Sequence, residues 1–331
     1  MKIIGLTLGI ASDKKSRMFR NTLFLAAMVF MFYSVHAVFA HKHEKTDVAN
    51  FMIDNQGRIL QIKFITSKFL TTGRGFPIAE KNVGLLLIHF DTGKELLRFV
   101  PDEKEAGDLL SAYPLDSERI VCNFRNDTSR RRIYHTGVWN IRTNAFRLYK
   151  DTGSGYTDET SGIHPDESKI ISCPYSHRGV FLHDLKGNAK NHIFAEFHIQ
   201  CPRFSPDGSR FAFFGADNTD NKENGNYMII QLMNESKIFK VEFKKGKFES
   251  LIPFGSVLSW SPSGKYLSGI VDHYFAKEKL YIWKSNGEML SVISLPFDVV
   301  WRWAPVWLPN EKEILIFYEK DGKIIYRSFI F

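Results

Sequence analysis

Residues 203–214 read RFSPDGSRFAFF, and the reading of Ser205-Pro206-Asp207-Gly208 inside that stretch decides the fold. Proline presets φ for the second position of a tight turn, an Asp side chain caps backbone groups there, and Gly takes positive φ without steric cost. Proline also cannot donate to a sheet ladder, so it belongs at a strand end. The flanking Phe204 and Phe211-Ala-Phe-Phe suit a pleated surface. The stretch is a strand, a turn and a second strand, and Ser-Pro-Asp-Gly is punctuation rather than a site.

Weaker versions of the phrase recur along the chain. Aligned on proline they are AYPLDSERIVCNF, GIHPDESKIISCPY, RFSPDGSRFAFF, SWSPSGKYLSGIV and VWLPNEKEILIFY, with Pro114, Pro165, Pro206, Pro262 and Pro309 spaced by 51, 41, 56 and 47 residues. Asp207, Gly208 and Gly264 supply the turn chemistry in the two best copies. A second hairpin follows each phrase: LLLIHFDTGKELLRFV, VWNIRTNAFRLYK, GVFLHDLKGNAKNHIF, YMIIQLMNESKIFKVEF, KLYIWKSNGEMLSVI and, at the end, KIIYRSFIF. Six such elements of about 48 residues each match four-stranded blades. The expected fold is all-β: a six-bladed β-propeller of four-stranded blades. The last element stops after its third strand, so the segment FMIDNQGRILQIKF (Phe51–Phe64) is expected to supply the missing outer strand and close the ring.

FSPDGSRFAFF and its relative WSPSGKYLSGIV resemble the repeat of TolB-like periplasmic β-propellers, which are themselves similar to WD-type repeats. The resemblance covers residues 50–331 and is specific in two repeats. It implies a six-bladed propeller that binds protein partners at its face or central channel, outside the cytoplasm.

The first 40 residues are a different kind of text. Lys14, Lys15, Arg17 and Arg20 precede the apolar run Thr22–Val35, and small residues follow at Ala37 and Ala40. That order is the signature of a secretory signal peptide, with cleavage after Ala37 or Ala40 and residues 41–331 forming one propeller domain. The apolar run is shorter than the ~20 residues of a membrane span, so an uncleaved anchor is the lesser alternative. These 40 residues carry five of the 44 basic residues and one of the 36 acidic ones, so removing them leaves 39 against 35. The basic balance is therefore poor support for a nucleic-acid partner. With 44% hydrophobic and 14% aromatic residues, the rest can bury a large core. Of Cys122, Cys173 and Cys201, one pair and one free thiol are possible, but the first two lie in apolar strand-like runs where Cys acts as a small hydrophobe.

Several stretches are candidates for chemistry. Arg125, Arg130, Arg131, Arg132 and His135 fall in FRNDTSRRRIYHTG, on the face opposite the Ser-Pro turns, where Arg forks suit carboxylate or phosphate groups of a partner. Trp301, Arg302 and Trp303 in WRWAPVW are residue types of binding hot spots and equally of packing between blades. The loop Gly215–Tyr227 is oxygen-rich but fails the spacing of a calcium loop. If cleavage follows Ala40, the new amine with His41 and His43 offers a nitrogen set for copper(II) or nickel(II). No nucleophile elbow occurs, since Gly153-Ser154-Gly155 is followed by Tyr.

The expected function is that of an exported, monomeric propeller in the periplasm or cell envelope, binding another envelope or secreted protein and needing no cofactor. The alternative is a propeller-type enzyme, a lactonase or a polysaccharide lyase or hydrolase, with a metal or carboxylate and histidine site at the channel. It would draw on His164, Glu167, His198, Asp272 and His273.

Overall fold

The computed structural model describes residues 47–69, 79–102, 107–127, 132–153, 161–172, 178–185, 190–217, 226–232, 238–242, 257–271, 278–300 and 303–331. Asp47–Phe331 form one compact unit, and Met1–Thr46 lie outside the described residues. All described elements are strands, and no helix among the described residues is long and apolar enough to cross a membrane.

The strands make five antiparallel sheets. The first holds β1 (Val48–Ile53), β2 (Ile59–Phe69), β3 (Ala79–His89) and β4 (Glu95–Phe99), and the second β5 (Asp108–Pro114), β6 (Arg119–Asp127), β7 (Arg132–Asn140) and β8 (Ala145–Gly153). The third runs through seven strands: β9 (Ser161–Ile163), β10 (Lys169–Ser172), β11 (Arg178–Asp184), β12 (Lys190–Phe204), β13 (Arg210–Asp217), β14 (Asn226–Leu232) and β15 (Ile238–Glu242). The fourth is β16 (Val257–Trp260), β17 (Tyr266–Val271), β18 (Lys279–Lys284) and β19 (Met289–Ser294), and the last β20 (Val306–Trp307), β21 (Glu313–Lys320) and β22 (Lys323–Ile330). Small antiparallel sheets arranged in a ring are a β-propeller.

The six separate blades expected from the spacing are corrected to five sheets. The cause is β12, which is 15 residues long. Its first part, from Lys190 to Ile193, pairs with β11 as an outer strand, with one further pair at His198 and Arg178, and its second part, from Phe197 to Phe204, pairs with β13 as an inner one. Two hairpin units therefore share one sheet. Pro202 is accommodated because the β12–β13 register shifts between Gln200 and Arg203, a bulge where no ladder donor is required.

The second correction concerns Phe51–Phe64. It is not the outer strand of the last sheet; β1 pairs with β2, and β2 with β3, in the first sheet. The N-terminal strand does meet the last sheet, but by packing. Val48 and Phe51 share an apolar cluster with Trp303, Val306, Leu315 and Phe317, and the Phe51 and Phe317 rings stack with centroids 3.7 Å apart. Among the described residues β22 is the third and outermost strand of its sheet. Lys323 and Arg327 sit along it, the charged residues that discourage pairing with other chains.

Apolar clusters fill the junctions between sheets. Leu60, Leu85 and Phe99 of the first sheet pack with Ile120, Phe124 and Trp139 of the second. Ala212 and Phe214 of the third pack with Leu258, Trp260 and Trp283 of the fourth, whose Ile270 and Ile282 meet Trp307 and Ile314 of the last. Each such buried large side chain contributes about 1.5–3 kcal/mol.

The inner strands are also latched by polar groups. Trp260 Nε1 donates to the Arg203 carbonyl at 3.1 Å, Trp307 Nε1 to the Ser259 carbonyl at 3.1 Å, and Trp303 Nε1 to the Val48 carbonyl at 3.2 Å. The Tyr113 hydroxyl donates to the Ser161 carbonyl at 2.6 Å. Between β9 and β12 the backbones approach so closely that a Cβ on Gly162 would stand 2.5 Å from the Pro202 carbonyl oxygen.

Candidate functional site

The Ser-Pro turns have the expected construction. Ser205 Oγ donates to Asp207 Oδ1 at 2.5 Å, and Asp207 receives the Ser209 N–H at 3.0 Å and the Ser209 hydroxyl at 2.7 Å. Burial opposes ionisation of Asp207, but these bonds hold its carboxyl below the ordinary range. Gly208, at φ +70°, closes the turn by donating to the Ser205 carbonyl at 2.8 Å. Ser261–Gly264, His164–Glu167 and Leu308–Glu311 close in the same way, so Pro165, Pro262 and Pro309 take turn positions as Pro206 does.

Pro114 does not. It ends β5, paired with Ile120, and the turn that follows runs from Leu115 to Arg119. A sixth turn was missed because it has no proline: Asp54–Arg58, between β1 and β2, where Gly57 donates to the Asp54 carbonyl at 3.0 Å. There the Asp54 carboxylate caps the Gln56 and Arg58 N–H groups, both at 2.9 Å.

Each turn touches the next. Asn55 Nδ2 donates to Glu118 Oε1 at 2.6 Å, Arg119 Nη1 to the Pro165 carbonyl at 2.7 Å, and His164 Nε2 lies 3.1 Å from the Gly208 carbonyl oxygen. A Cβ on Gly264 would stand 3.4 Å from Pro206 Cδ, and Ser263 Oγ donates to Glu311 Oε2 at 2.7 Å. Glu167 and Glu311 occupy the left-handed turn position that Gly fills elsewhere, with φ of 58° and 55°. Their carboxylates do what Gly cannot, bridging to the preceding turn. Glu167 is held by Arg119 at 3.2 Å, Arg147 at 3.2 Å and the Tyr149 hydroxyl at 2.6 Å. Burial and then the bond to Glu167 push the Tyr149 phenol up to about 12. His164 and Glu167, two residues the enzyme reading would use, are thus committed to bracing the turns.

The other predicted residues are scattered. Arg125 is half-buried in β6, its Nη2 3.5 Å from Asp108 Oδ2, and His135 in β7 is 6% exposed. Arg132 begins β7, opposite Asp127. Trp303 is 2% exposed and edge-on to Phe51, so its role is packing between the last and first sheets. Cys122 is a buried free thiol whose ionisation burial pushes up. His198 pairs through its backbone with Arg178 and Ala216. Arg130, Arg131, Trp301, Arg302, Asp272, His273, His41, His43, Cys173 and most of the Gly215–Tyr227 loop lie outside the described residues. Among the described residues no three His, Cys, Asp or Glu side chains come together as a metal set.

A polar group that sequence reasoning did not single out lies on the inner strands. Asn123 Nδ2 donates to Ser111 Oγ at 3.1 Å, Thr136 and Ser161 hydroxyls are 2.9 Å apart, and Ser161 bonds Asn123 Oδ1. Beside Ser161, the Arg203 guanidinium from β12 reaches past β9 and lies 3.7 Å over the Tyr113 ring of β5. Arg203 is the charged member of six equivalent positions, each two residues before its turn. The others are Met52, Tyr113, Gly162, Ser259 and Val306. That contrast was the available signal.

Comparison with protein-family models and with curated proteins gives no match. Solved structures do match. Kuenenia stuttgartiensis hydrazine synthase is 11% identical with a TM-score of 0.54, over 87% of this chain and 97% of that one. Oligogalacturonate lyase in complex with manganese is 12% identical with a TM-score of 0.50, over 85% and 76%. TolB from Acinetobacter baumannii is 14% identical with a TM-score of 0.49 over 75% of this chain, which spans 57% of the TolB chain. At these identities the likeness is one of fold, and the fold is the β-propeller.

Proposed function

We propose that the protein is an exported β-propeller that serves as a binding module for another protein of the periplasm or cell envelope. The observation behind this reading is the commitment of the turn-face polar residues to the frame. Asn55, Arg119, His164, Glu167, Ser263 and Glu311 all bridge neighbouring turns. Such bracing preorganises a ring on which loops can present contacts at low entropic cost. Export is supported by the basic, apolar, small-residue order of residues 14–40. The basic stretch Arg130–Arg132, which in the sequence connects Asp127 of β6 to β7, is the contact this reading favours.

In-cell crosslinking and capture of the C-terminally tagged protein, with metal analysis and N-terminal sequencing of the same preparation, tests this. One dominant envelope protein, weakened by charge reversal at Arg130–Arg132, supports the reading. A retained stoichiometric metal or glycan without a protein partner overturns it in favour of the lactonase or lyase alternative.

A further inference from the structure

We propose that Arg203 forms a carboxylate-binding site on the inner strands of the ring, and that its ligand is a carboxylate carried by a peptide, at its C-terminus or on an acidic side chain. The inference deepens the reading of the protein as a binding module and rests on it.

Arginine keeps its charge at any physiological pH, and a buried charge is costly unless it is paired. Arg203 is 8% exposed. Its Nη1 donates to the Pro202 carbonyl at 3.0 Å, and its planar face rests on the Tyr113 ring. No carboxylate among the described residues lies within ion-pairing distance of it. The remaining edge, Nε with Nη2, makes no hydrogen bond, yet neither nitrogen is among the buried atoms sealed from solvent without a partner. That edge is the fork which takes both oxygens of a carboxylate in parallel bonds.

The surroundings narrow the ligand. The fork is fixed from behind by stacking and from one side by its own backbone, so little rotamer entropy is lost on binding. The free edge is planar and two-pronged, so it takes a planar group with two oxygens. A single Arg matches a monoanion, and the described side chains of the neighbouring Ser161, Asn123 and Thr136 are uncharged and bond to one another. A peptide C-terminus or an Asp or Glu side chain has that shape and charge.

The test is a titration of the full chain, following arginine Nε–H resonances by NMR. The probes are N-acetyldiglycine as the free acid, the same compound as its amide, and inorganic phosphate. The resonance absent from Arg203→Lys should move with the acid and stay in place with the amide and with phosphate. Arg203→Lys should bind the acid at least about tenfold more weakly, having lost the bidentate fork, while Arg98→Lys, at an exposed arginine of β4 paired with Glu95, should bind as the wild type does. No movement with the acid, or equal movement with the amide, overturns the site, as does preferential movement with phosphate. The wild-type titration decides even if Arg203→Lys does not fold. Partner capture that survives Arg203→Lys, with the acid no longer bound by any form, sinks this site and leaves the binding module standing. Acid binding without any captured partner does the reverse.

Discussion

Trp303 donates its indole N–H to the carbonyl oxygen of Val48 at 3.2 Å, joining positions 255 residues apart. The two ends of the described ring meet at this bond, inside a cluster that includes the stacked rings of Phe51 and Phe317. Trp303→Phe keeps most of the packing but loses the hydrogen bond to the Val48 carbonyl, a loss of about 0.5–1.5 kcal/mol. Trp303→Ala adds a cavity, for a total of about 3–5 kcal/mol. Urea unfolding of both variants checks the order; a Trp303→Phe variant as stable as the wild type would show that the hydrogen bond contributes nothing.

Glycine is required at Gly208 for two reasons and at Gly57 for one. Both have positive φ, but a Cβ on Gly208 would stand 2.1 Å from His164 Nε2, while one on Gly57 meets nothing within 4 Å. Gly57→Ala should cost about 1–2 kcal/mol, the left-handed penalty. Gly208→Ala should cost clearly more, because it also displaces the His164 bridge to the neighbouring turn. Thermal melts of the two variants side by side test this.

At Glu167 the preferences run against each other. Glycine there relieves the left-handed strain but releases Arg119, Arg147 and Tyr149. Alanine keeps the strain and loses the same partners. Glu167→Ala should therefore be less stable than Glu167→Gly by about 1–2 kcal/mol, with both below the wild type. An alanine variant as stable as the glycine variant would count against the strain.

Acid should loosen the third turn. Hydrogen bonding from Ser168, with a further contribution from His164, holds the Asp166 carboxyl down at about 2 against an ordinary 3.8. A depressed folded value stabilises the fold above the unfolded value, and that stabilisation is lost as pH falls from about 4 towards 2. Asp166→Asn should flatten the stability profile in that window and lower stability slightly at neutral pH, where the ionised carboxylate contributes in full, as chemical denaturation at stepped pH would show. The effect is small, since Asp166 is largely exposed.

Cys122 should resist alkylation by iodoacetamide in the folded protein and react on unfolding, because burial disfavours its thiolate. Site-resolved mass spectrometry before and after denaturation gives the answer. Rapid modification in the native state would contradict its place in the core.

Much of the fold was legible because the turns write themselves in side-chain chemistry. Pro165, Pro206, Pro262 and Pro309 each mark a real turn, and the hairpins that follow them are present. Two features were misread for physical reasons. The first turn has Asn55 where those four turns have proline and is held instead by the Asp54 carboxylate, which caps the Gln56 and Arg58 N–H groups without leaving the phrase behind. Pro114 imitates the phrase from the end of a strand, where the missing N–H is equally harmless. Of the candidate residues, Trp303 shows why aromatic density misleads: a large ring with one donor serves a seam between sheets as well as a partner. Arg203 was overlooked because one charged residue beside a strong turn motif has no pattern of its own. Only the superposition of six turns makes it stand out.

The long strand β12 has a consequence for how such a ring can be rebuilt. Elsewhere, successive sheets follow one another through connecting segments, where a repeat can be added, lost or moved to a new terminus without breaking a ladder. Between the third and fourth hairpin units there is only the stretch from Ile193 to His198, where the pairing with β11 ends at His198 and the pairing with β13 has already begun at Phe197. A cut or insertion there should unravel both neighbours at once. Those two units form a single inheritable block, so the ring can change in size by whole repeats anywhere except across that seam.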